Sequence, residues 1–169
     1  MIRIATAVDV PEIARIHVEG WRAAYAAILP ADFLAGLSIE RRALFWCDVL
    51  AQPGNHVLVD ETAVGIRGWV SWGRSRDEGG SGGAEIYAIY VDPAMWRKRV
   101  GGALLREAER GIADAAMPVV TLWVLAENQP ARRFYERHGY ALDGASRMIT
   151  VGGSEVEEVR YAKRMMERV

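Results

Sequence analysis

Residues 86–105 read Ile-Tyr-Ala-Ile-Tyr-Val-Asp-Pro-Ala-Met-Trp-Arg-Lys-Arg-Val-Gly-Gly-Ala-Leu-Leu. The β-branched and aromatic run Ala84–Val91 predicts a strand, and Pro93 stops it. From Val100 the periodicity changes. Val100, Ala103, Leu104, Ala108, Gly111, Ile112 and Ala115 recur on one helical face, while Arg106, Glu107, Arg110 and Asp114 fall on the other. A strand therefore runs through a tight turn into a helix. The first turn of a helix leaves N–H groups unpaired and carries partial positive charge, so it favours a phosphate. Gly101 and Gly102 remove Cβ atoms at that point, and Arg97, Lys98 and Arg99 add three positive charges. The turn is neither a P-loop, lacking G-x-x-x-x-G-K-[ST], nor a dinucleotide fingerprint, lacking G-x-G-x-x-G. Taken alone, it also reads as a packing pair of glycines beside a solvated basic turn.

The remaining elements flank this unit. Ile2–Ala5 reads as a short strand. Asp9 and Glu12 have capping-box spacing ahead of Ile13, Ile16, His17 and Gly20, which recur at helical intervals. A second helical region spans Trp21–Ala27 and a third spans Ile39–Leu50. Residues His56–Asp60 and Val64–Trp72 read as a hairpin turning at Glu61–Thr62. The run Glu78–Gly83 reads as a loop between strands rather than a linker. Val119–Leu125 is apolar enough to be a central strand, Pro130–His138 a short helix, and Tyr140–Val151 with Glu155–Met165 a last hairpin around Gly152–Gly153. The order predicts one α/β (α+β) domain over residues 1–169, a sheet of about seven strands covered by helices.

Composition narrows the function classes. The 169 residues are 51% hydrophobic and 25% charged, with a net charge of −1, so no whole-molecule field draws the chain to nucleic acid or membrane. No basic start leads into a long apolar run, and cytoplasmic residence is the expectation. Cys47 is the single cysteine and reads as a core residue beside Phe45, Trp46 and Val49. His17, His56 and His138 lie in separate elements without ligand spacing, so no metal site is expected.

A second stretch, Leu122-Trp-Val-Leu-Ala-Glu-Asn-Gln-Pro-Ala-Arg-Arg-Phe-Tyr-Glu-Arg-His-Gly-Tyr140, is similar to the V-x-x-x-N-x-x-A-x-x-F-Y-E-x-x-G-F/Y segment of the GNAT (Gcn5-related) N-acetyltransferases. The basic turn resembles the same family's [Q/R]-x-x-G-x-[G/A] motif, aligned on Gly101. Two positions depart: Trp96 stands first and Arg99 takes the place of the middle glycine. If that place demands φ > 0, Arg99 is strained. If it demands only a backbone N–H, Arg99 serves and adds charge, which is the expectation favoured here.

The resemblance implies a mostly antiparallel sheet with helices on both faces and a fourth strand splayed from the fifth at a bulge. It implies acetyl-CoA as co-substrate, held by Ile89, Tyr90, Val91, Arg97, Lys98, Arg99, Val100, Gly101, Gly102, Ala103, Asn128, Ala131 and Tyr135. Asn128 also suits a helix cap. Tyr135 is the implied general acid towards the departing thiolate; a phenol near ~10 giving its proton to a thiolate near ~8.5 is uphill by only about 1.5 units. Glu85 is the implied base and His17 a weaker one, although a strand-end charge and a structural histidine account for them as well. Trp21, Tyr25, Trp72 and Tyr87 are candidates for the acceptor pocket, with Trp69 behind them; core packing explains these aromatics equally well. The acceptor is a primary amine of a small molecule, amino acid or peptide. Holding a lysine-like amine neutral at pH 7 costs about 4–5 kcal/mol, and an α-amine about 1. A homodimer through the last hairpin is carried over from the family alone. The competing readings are a non-catalytic acyl-CoA sensor, motivated by Arg99, and an interaction domain that binds no nucleotide.

Overall fold

The structure is a computed structural model that describes residues 1–77 and 82–165. Twelve elements follow in order: β1 (Ile2–Ile4), α1 (Val10–Ala24), α2 (Ala31–Ala35), α3 (Ile39–Ala51), β2 (His56–Thr62), β3 (Gly65–Arg74), β4 (Ala84–Val91), α4 (Val100–Asp114), β5 (Val119–Leu125), α5 (Gln129–Arg137), β6 (Ala141–Val151) and β7 (Ser154–Arg164). The seven strands form one sheet in the order β1-β2-β3-β4-β5-β7-β6. Every pairing is antiparallel except β4 with β5. The expected sheet and its strand count are thus present.

Helices cover both faces because each carries an apolar stripe. On one face α1 and α3 bury Ile13, Ala14, Ile16 and Trp46 against Val57, Val59 and Trp69. On the other, Leu104, Leu105, Ala108 and Ile112 of α4 meet Val70, Ile86, Val120 and Leu122. A third cluster joins Leu29 and Leu34 to Leu125 and Val156. Full burial of a Leu, Ile or Val contributes roughly 1.5–3 kcal/mol, so these clusters hold the helices in place.

Several local expectations need correction. α1 continues through Trp21 to Ala24 without a break at Gly20. A Cβ on Gly20 would stand 2.8 Å from Cδ1 of Tyr90, so this glycine admits an aromatic ring rather than ending a helix. Asp9 does not cap α1 through its side chain. Its carboxylate instead accepts from the Thr6 backbone N–H (2.7 Å) and from Arg3 (2.7 and 2.8 Å). The β2–β3 turn lies at Ala63–Val64, two residues later than expected. Cys47 is exposed. Only Trp46 of α3 is fully buried, and the next residue sits 100° further round the helix, on the solvent side. Ala115 is exposed as well, while Leu105 joins the core. The glycine-rich run falls outside the described residues except for Gly82 and Gly83.

Two features of β4 build the site. Between Ser71↔Ala88 and Trp72↔Ile86 the register with β3 shifts, leaving Tyr87 unopposed as a bulge. On its other edge β4 pairs with β5 only at Ala84↔Val120 and Glu85↔Thr121. From Ile86 onward the two strands part.

Candidate active site

The opening between β4 and β5 is part of a cavity of about 1270 Å³. It runs from the first turn of α4, past β4, to the space between α1 and α3. The sequence places the phosphate-binding turn at one end of it. Arg97, Arg99, Val100, Gly101 and Gly102 all line the cavity. Arg99 is the residue preceding the first turn of α4 and has φ +63° and ψ +7°. Arg97 is also left-handed, with φ +62°. The place therefore does demand φ > 0, contrary to the favoured expectation. A side chain there costs roughly 1–2 kcal/mol of backbone strain. Both arginines are exposed, and two positive charges stand beside the unpaired N–H groups of the α4 start.

The two glycines do different jobs. A Cβ on Gly101 would meet Phe134 and Val91 at an ordinary 3.5 Å, whereas one on Gly102 would come within 2.8 Å of Nε2 of His138. Gly102 thus leaves room for the His138 ring at the end of α5. Asn128 caps α5 by accepting from the Ala131 N–H (3.2 Å), which leaves its amide N–H₂ without a partner among the described residues. Ile89, Tyr90, Val91 and Ala131 lie on the wall. The Val91 carbonyl accepts from the indole N–H of Trp96 (2.9 Å), so the departure at Trp96 props the end of the splayed strand. Lys98 and Ala103 do not face the cavity.

Tyr135 is buried on the same wall. Burial, with a smaller effect from Tyr25, pushes its phenol well above the usual value of 10. Its hydroxyl makes no hydrogen bond with any described residue, which leaves a protonated donor facing the cavity. Next to it, the hydroxyls of Tyr25 and Tyr90 lie 2.9 Å apart. Trp21 packs edge-on against Tyr25, with ring centroids 5.2 Å apart.

Glu85 does not reach this group. Its side chain is 2% exposed and is held by Arg76, whose backbone N–H (3.0 Å) and Nε (3.2 Å) donate to Oε2 and whose Nη2 donates to Oε1. With both oxygens taken by Arg76, the carboxylate ties the segment after β3 to β4 and has no oxygen left to accept a proton from an amine. The bulge also removes the simple alternation that put Tyr87 and Glu85 on one face. The Tyr87 hydroxyl donates to the Arg74 carbonyl (2.7 Å) while its ring lies under the Arg76 guanidinium (4.3 Å). Tyr87 does line the cavity. Trp72 does not; it stacks on His56 (3.9 Å) and fills the space over Gly111 in the α4 core.

His17 is buried among Trp21, Trp46, Trp69 and Tyr90. Its Nδ1 accepts from Trp46 Nε1 (3.1 Å), and burial lowers its pKa to about 3. A ring so reluctant to charge is no useful base at neutral pH. Among the charged side chains of the wall that the sequence does not announce are Arg42 and Glu158. Neither carries a motif; each is an ordinary charge on a helix or strand until the fold turns it inward. Among the described residues no group of His, Cys, Asp and Glu is arranged to hold a metal, and no helix is long and apolar enough to cross a membrane.

Comparison with known proteins accords with this geometry. The family model described as Acetyltransferase (GNAT) family matches residues 15–140. The chain is 32% identical over 139 residues to YuaI of Bacillus subtilis, an uncharacterized N-acetyltransferase, covering 81% of this chain and 78% of that one. The fold superposes on PaiA N-acetyltransferase from Thermoplasma acidophilum in complex with coenzyme A with a TM-score of 0.77 at 19% identity, covering 97% and 98% of the two chains. YncA from Salmonella typhimurium, solved with its cofactor acetyl-CoA, superposes with a TM-score of 0.74 at 19% identity over 100% and 95%.

Proposed function

Because the chain belongs to the acetyltransferase (GNAT) family of acetyl-CoA-dependent acyltransferases, we propose that it moves the acetyl group of acetyl-CoA to a primary amine by direct attack within a ternary complex. The observation that carries this reading is the Tyr135 hydroxyl: buried, protonated, unbonded, and in the same cavity as the α4 start. The cavity exceeds the roughly 300–1,000 Å³ usual for one small ligand, as two substrates side by side require.

The α4 start, Arg97 and Arg99 hold the pyrophosphate, and the unpaired edge of β4 pairs with the pantetheine amides as an added strand would. Solved structures of this fold carrying coenzyme A or acetyl-CoA support a CoA site in it. Asn128 offers its free amide N–H₂ to the same arm. The neutral amine attacks the thioester carbonyl carbon while a β4 backbone N–H takes up charge on the oxygen, a contribution of roughly 3–4 kcal/mol. The C–S bond breaks, and the sulfur takes the proton of Tyr135. The phenolate recovers a proton from the acylated nitrogen, which has one to lose. Burial that raises the Tyr135 phenol also disfavours a naked thiolate in the same cavity, so the transfer remains close to balanced. Glu158 lines the same cavity; Arg147 holds only its Oε2, and its other oxygen, which accepts from no described residue, is offered to an ammonium ion.

The whole chain, residues 1–169, is read as one such domain in the cytoplasm, where a single exposed thiol fits reducing surroundings. A homodimer through the β6–β7 hairpin is supported by β6, the sheet's edge strand, which exposes Leu142 and Met148.

The test is Tyr135→Phe, assayed by release of free thiol from acetyl-CoA and by calorimetry. Turnover should fall by roughly 10²–10⁴ while acetyl-CoA affinity stays within a few-fold. Unchanged turnover removes the general-acid role. Tight acetyl-CoA binding with no thiol release across a broad amine screen supports the sensor reading instead.

A further inference from the structure

Arg42 stands in the first turn of α3, half-buried; its backbone N–H donates to the Ser38 carbonyl (3.1 Å), but its guanidinium makes neither an ion pair nor a hydrogen bond among the described residues. Its guanidinium lies 5.7 Å from the Trp21 ring centroid and 5.6 Å from that of Phe45. Burial lowers its pKa, so the charge is held where water serves it poorly. Arg3, Arg15, Arg67, Arg76, Arg147 and Arg160, by contrast, each hold a carboxylate, while the exposed Arg97 and Arg99 keep their charge in water. A partly desolvated cation without a counterion costs stability unless something supplies one.

Two further donors flank it. The indole N–H of Trp21 is buried and has no hydrogen-bond partner. It is directed towards the Tyr90 hydroxyl without reaching hydrogen-bond geometry. His17, which feels the charge of Arg42, accepts at Nδ1 from Trp46 and, being neutral, carries its proton at Nε2. No described residue accepts from that nitrogen. Arg42, Trp21 and His17 all line the cavity, on the α1–α3 side. The carboxylates on the same wall do not answer them: Glu158 is held by Arg147 (2.8 Å), and Asp48 is exposed and makes no ion pair with any described residue.

We infer that Arg42, with the Trp21 and His17 N–H groups, forms an anion pocket that selects an acceptor carrying both an amine and a carboxylate. An acceptor-only anion is what such a set of donors lacks, and a guanidinium can grip a carboxylate through two N–H groups at once. Trp21, Phe45 and Trp46 give the pocket apolar walls. Aromatic rings hold the guanidinium in place before the ligand arrives, so little ordering is lost on binding. The inference rests on the acetyltransferase reading and narrows its substrate class.

The experiment uses matched compounds: L-phenylalanine against phenethylamine, L-methionine against 3-methylthiopropylamine, and 1-amino-2-phenylethylphosphonate as a second anion. Thiol release from acetyl-CoA is measured for each with wild-type protein, Arg42→Gln, Arg42→Lys and Trp21→Phe. Binding of each compound to CoA-loaded protein is measured by calorimetry, independently of transfer. The carboxylated member of each pair should bind and react at least tenfold better. Arg42→Gln should raise its KM and Kd roughly 10- to 100-fold, Arg42→Lys less, and Trp21→Phe by several-fold. The decarboxylated amines and the KM for acetyl-CoA should be unaffected, which a merely structural Arg42 would not achieve. Preference for the phosphonate over the carboxylate would overturn the carboxylate assignment. Equal handling of both members of each pair, in binding and transfer, overturns the pocket itself. Selective binding of carboxylates that Arg42→Gln abolishes, without thiol release, upholds the pocket while sinking the transferase mechanism.

Discussion

The hydroxyls of Tyr25 and Tyr90 meet at 2.9 Å across the cavity, tying the residue that ends α1 to the splayed half of β4. Both phenols have pKa values raised by burial, so neither oxygen carries charge near neutral pH. Tyr25→Phe deletes one partner and leaves the Tyr90 hydroxyl buried alone. A loss of about 1–3 kcal/mol is expected, or a Tm lower by roughly 2–8 °C for a chain of this size. The KM for the acceptor should rise while that for acetyl-CoA holds. Calorimetric melting and steady-state thiol release check both parts; an unchanged melting temperature would show that the bond contributes nothing.

Tyr135 sets the shape of the pH profile. A phenol raised by burial stays protonated throughout the alkaline range in which enzymes are usually assayed. With increasing pH, kcat should climb as more acceptor amine is neutral and then level off. No descending limb below about pH 10 should appear, since the acid has not yet ionised. A fall in kcat beginning near pH 8–9, present in wild type and absent in Tyr135→Phe, would contradict the environment described for this side chain.

Arg99 separates strain from charge. Arg99→Gly relieves a left-handed side chain and should stabilise the fold by about 1 kcal/mol. It also removes a cation next to the α4 start, so acetyl-CoA binding should weaken several-fold and depend less on salt. Arg99→Ala keeps the strain and loses the charge. Melting curves paired with calorimetry at two ionic strengths distinguish the three proteins, and a destabilised glycine variant would refute the strain.

Asp9 governs acid stability at the other end of the sheet. The Arg3 guanidinium and the Thr6 N–H hold its carboxyl down at about 2, against an unfolded value near 3.8. A carboxyl depressed in the folded state contributes stability above the unfolded pKa and loses it as pH falls through the folded one. The window is therefore about pH 5 to 2. Allowing for solvent screening around Arg3, the contribution is on the order of 1–2 kcal/mol. Urea titrations of Asp9→Asn should show lower stability at pH 7 and a flatter decline over that window; parallel curves for the two proteins would remove Asp9 from the account.

The strands were legible because each is a short run of Val, Ile, Leu and aromatics bounded by Gly or Pro. β4 and β5 begin and end where the periodicity places them. α4 was legible from its stripe, and Asn128 as a cap from its spacing to Ala131. What escaped depends on contacts between distant residues. Gly20 falls on the helical stripe, but nothing near it in sequence shows that the Tyr90 ring needs its space. The resemblance implies a bulge in the fourth strand, but no local signal puts it at Tyr87, where it decides which way the following side chains face. Glu85 has the residue type of a base, and only Arg76 shows that its oxygens are taken. α2, five residues long, is too short for periodicity to announce. Arg42 lacks a motif because its meaning is the missing carboxylate, and no sequence displays a missing neighbour.

The parting of β4 from β5 after two residue pairs has a further consequence. Unpaired strand edges are hazards for a protein, since any extended chain can add to them. Here the bare edges lie in the middle of a sheet, walled by α4 and α5 on one side and α1 on the other. A neighbouring polypeptide cannot enter, but a thin, flexible amide-bearing thread can. The molecule can keep a sticky edge permanently open for that thread while denying it to other proteins, an opening whose narrowness is its safeguard against aggregation.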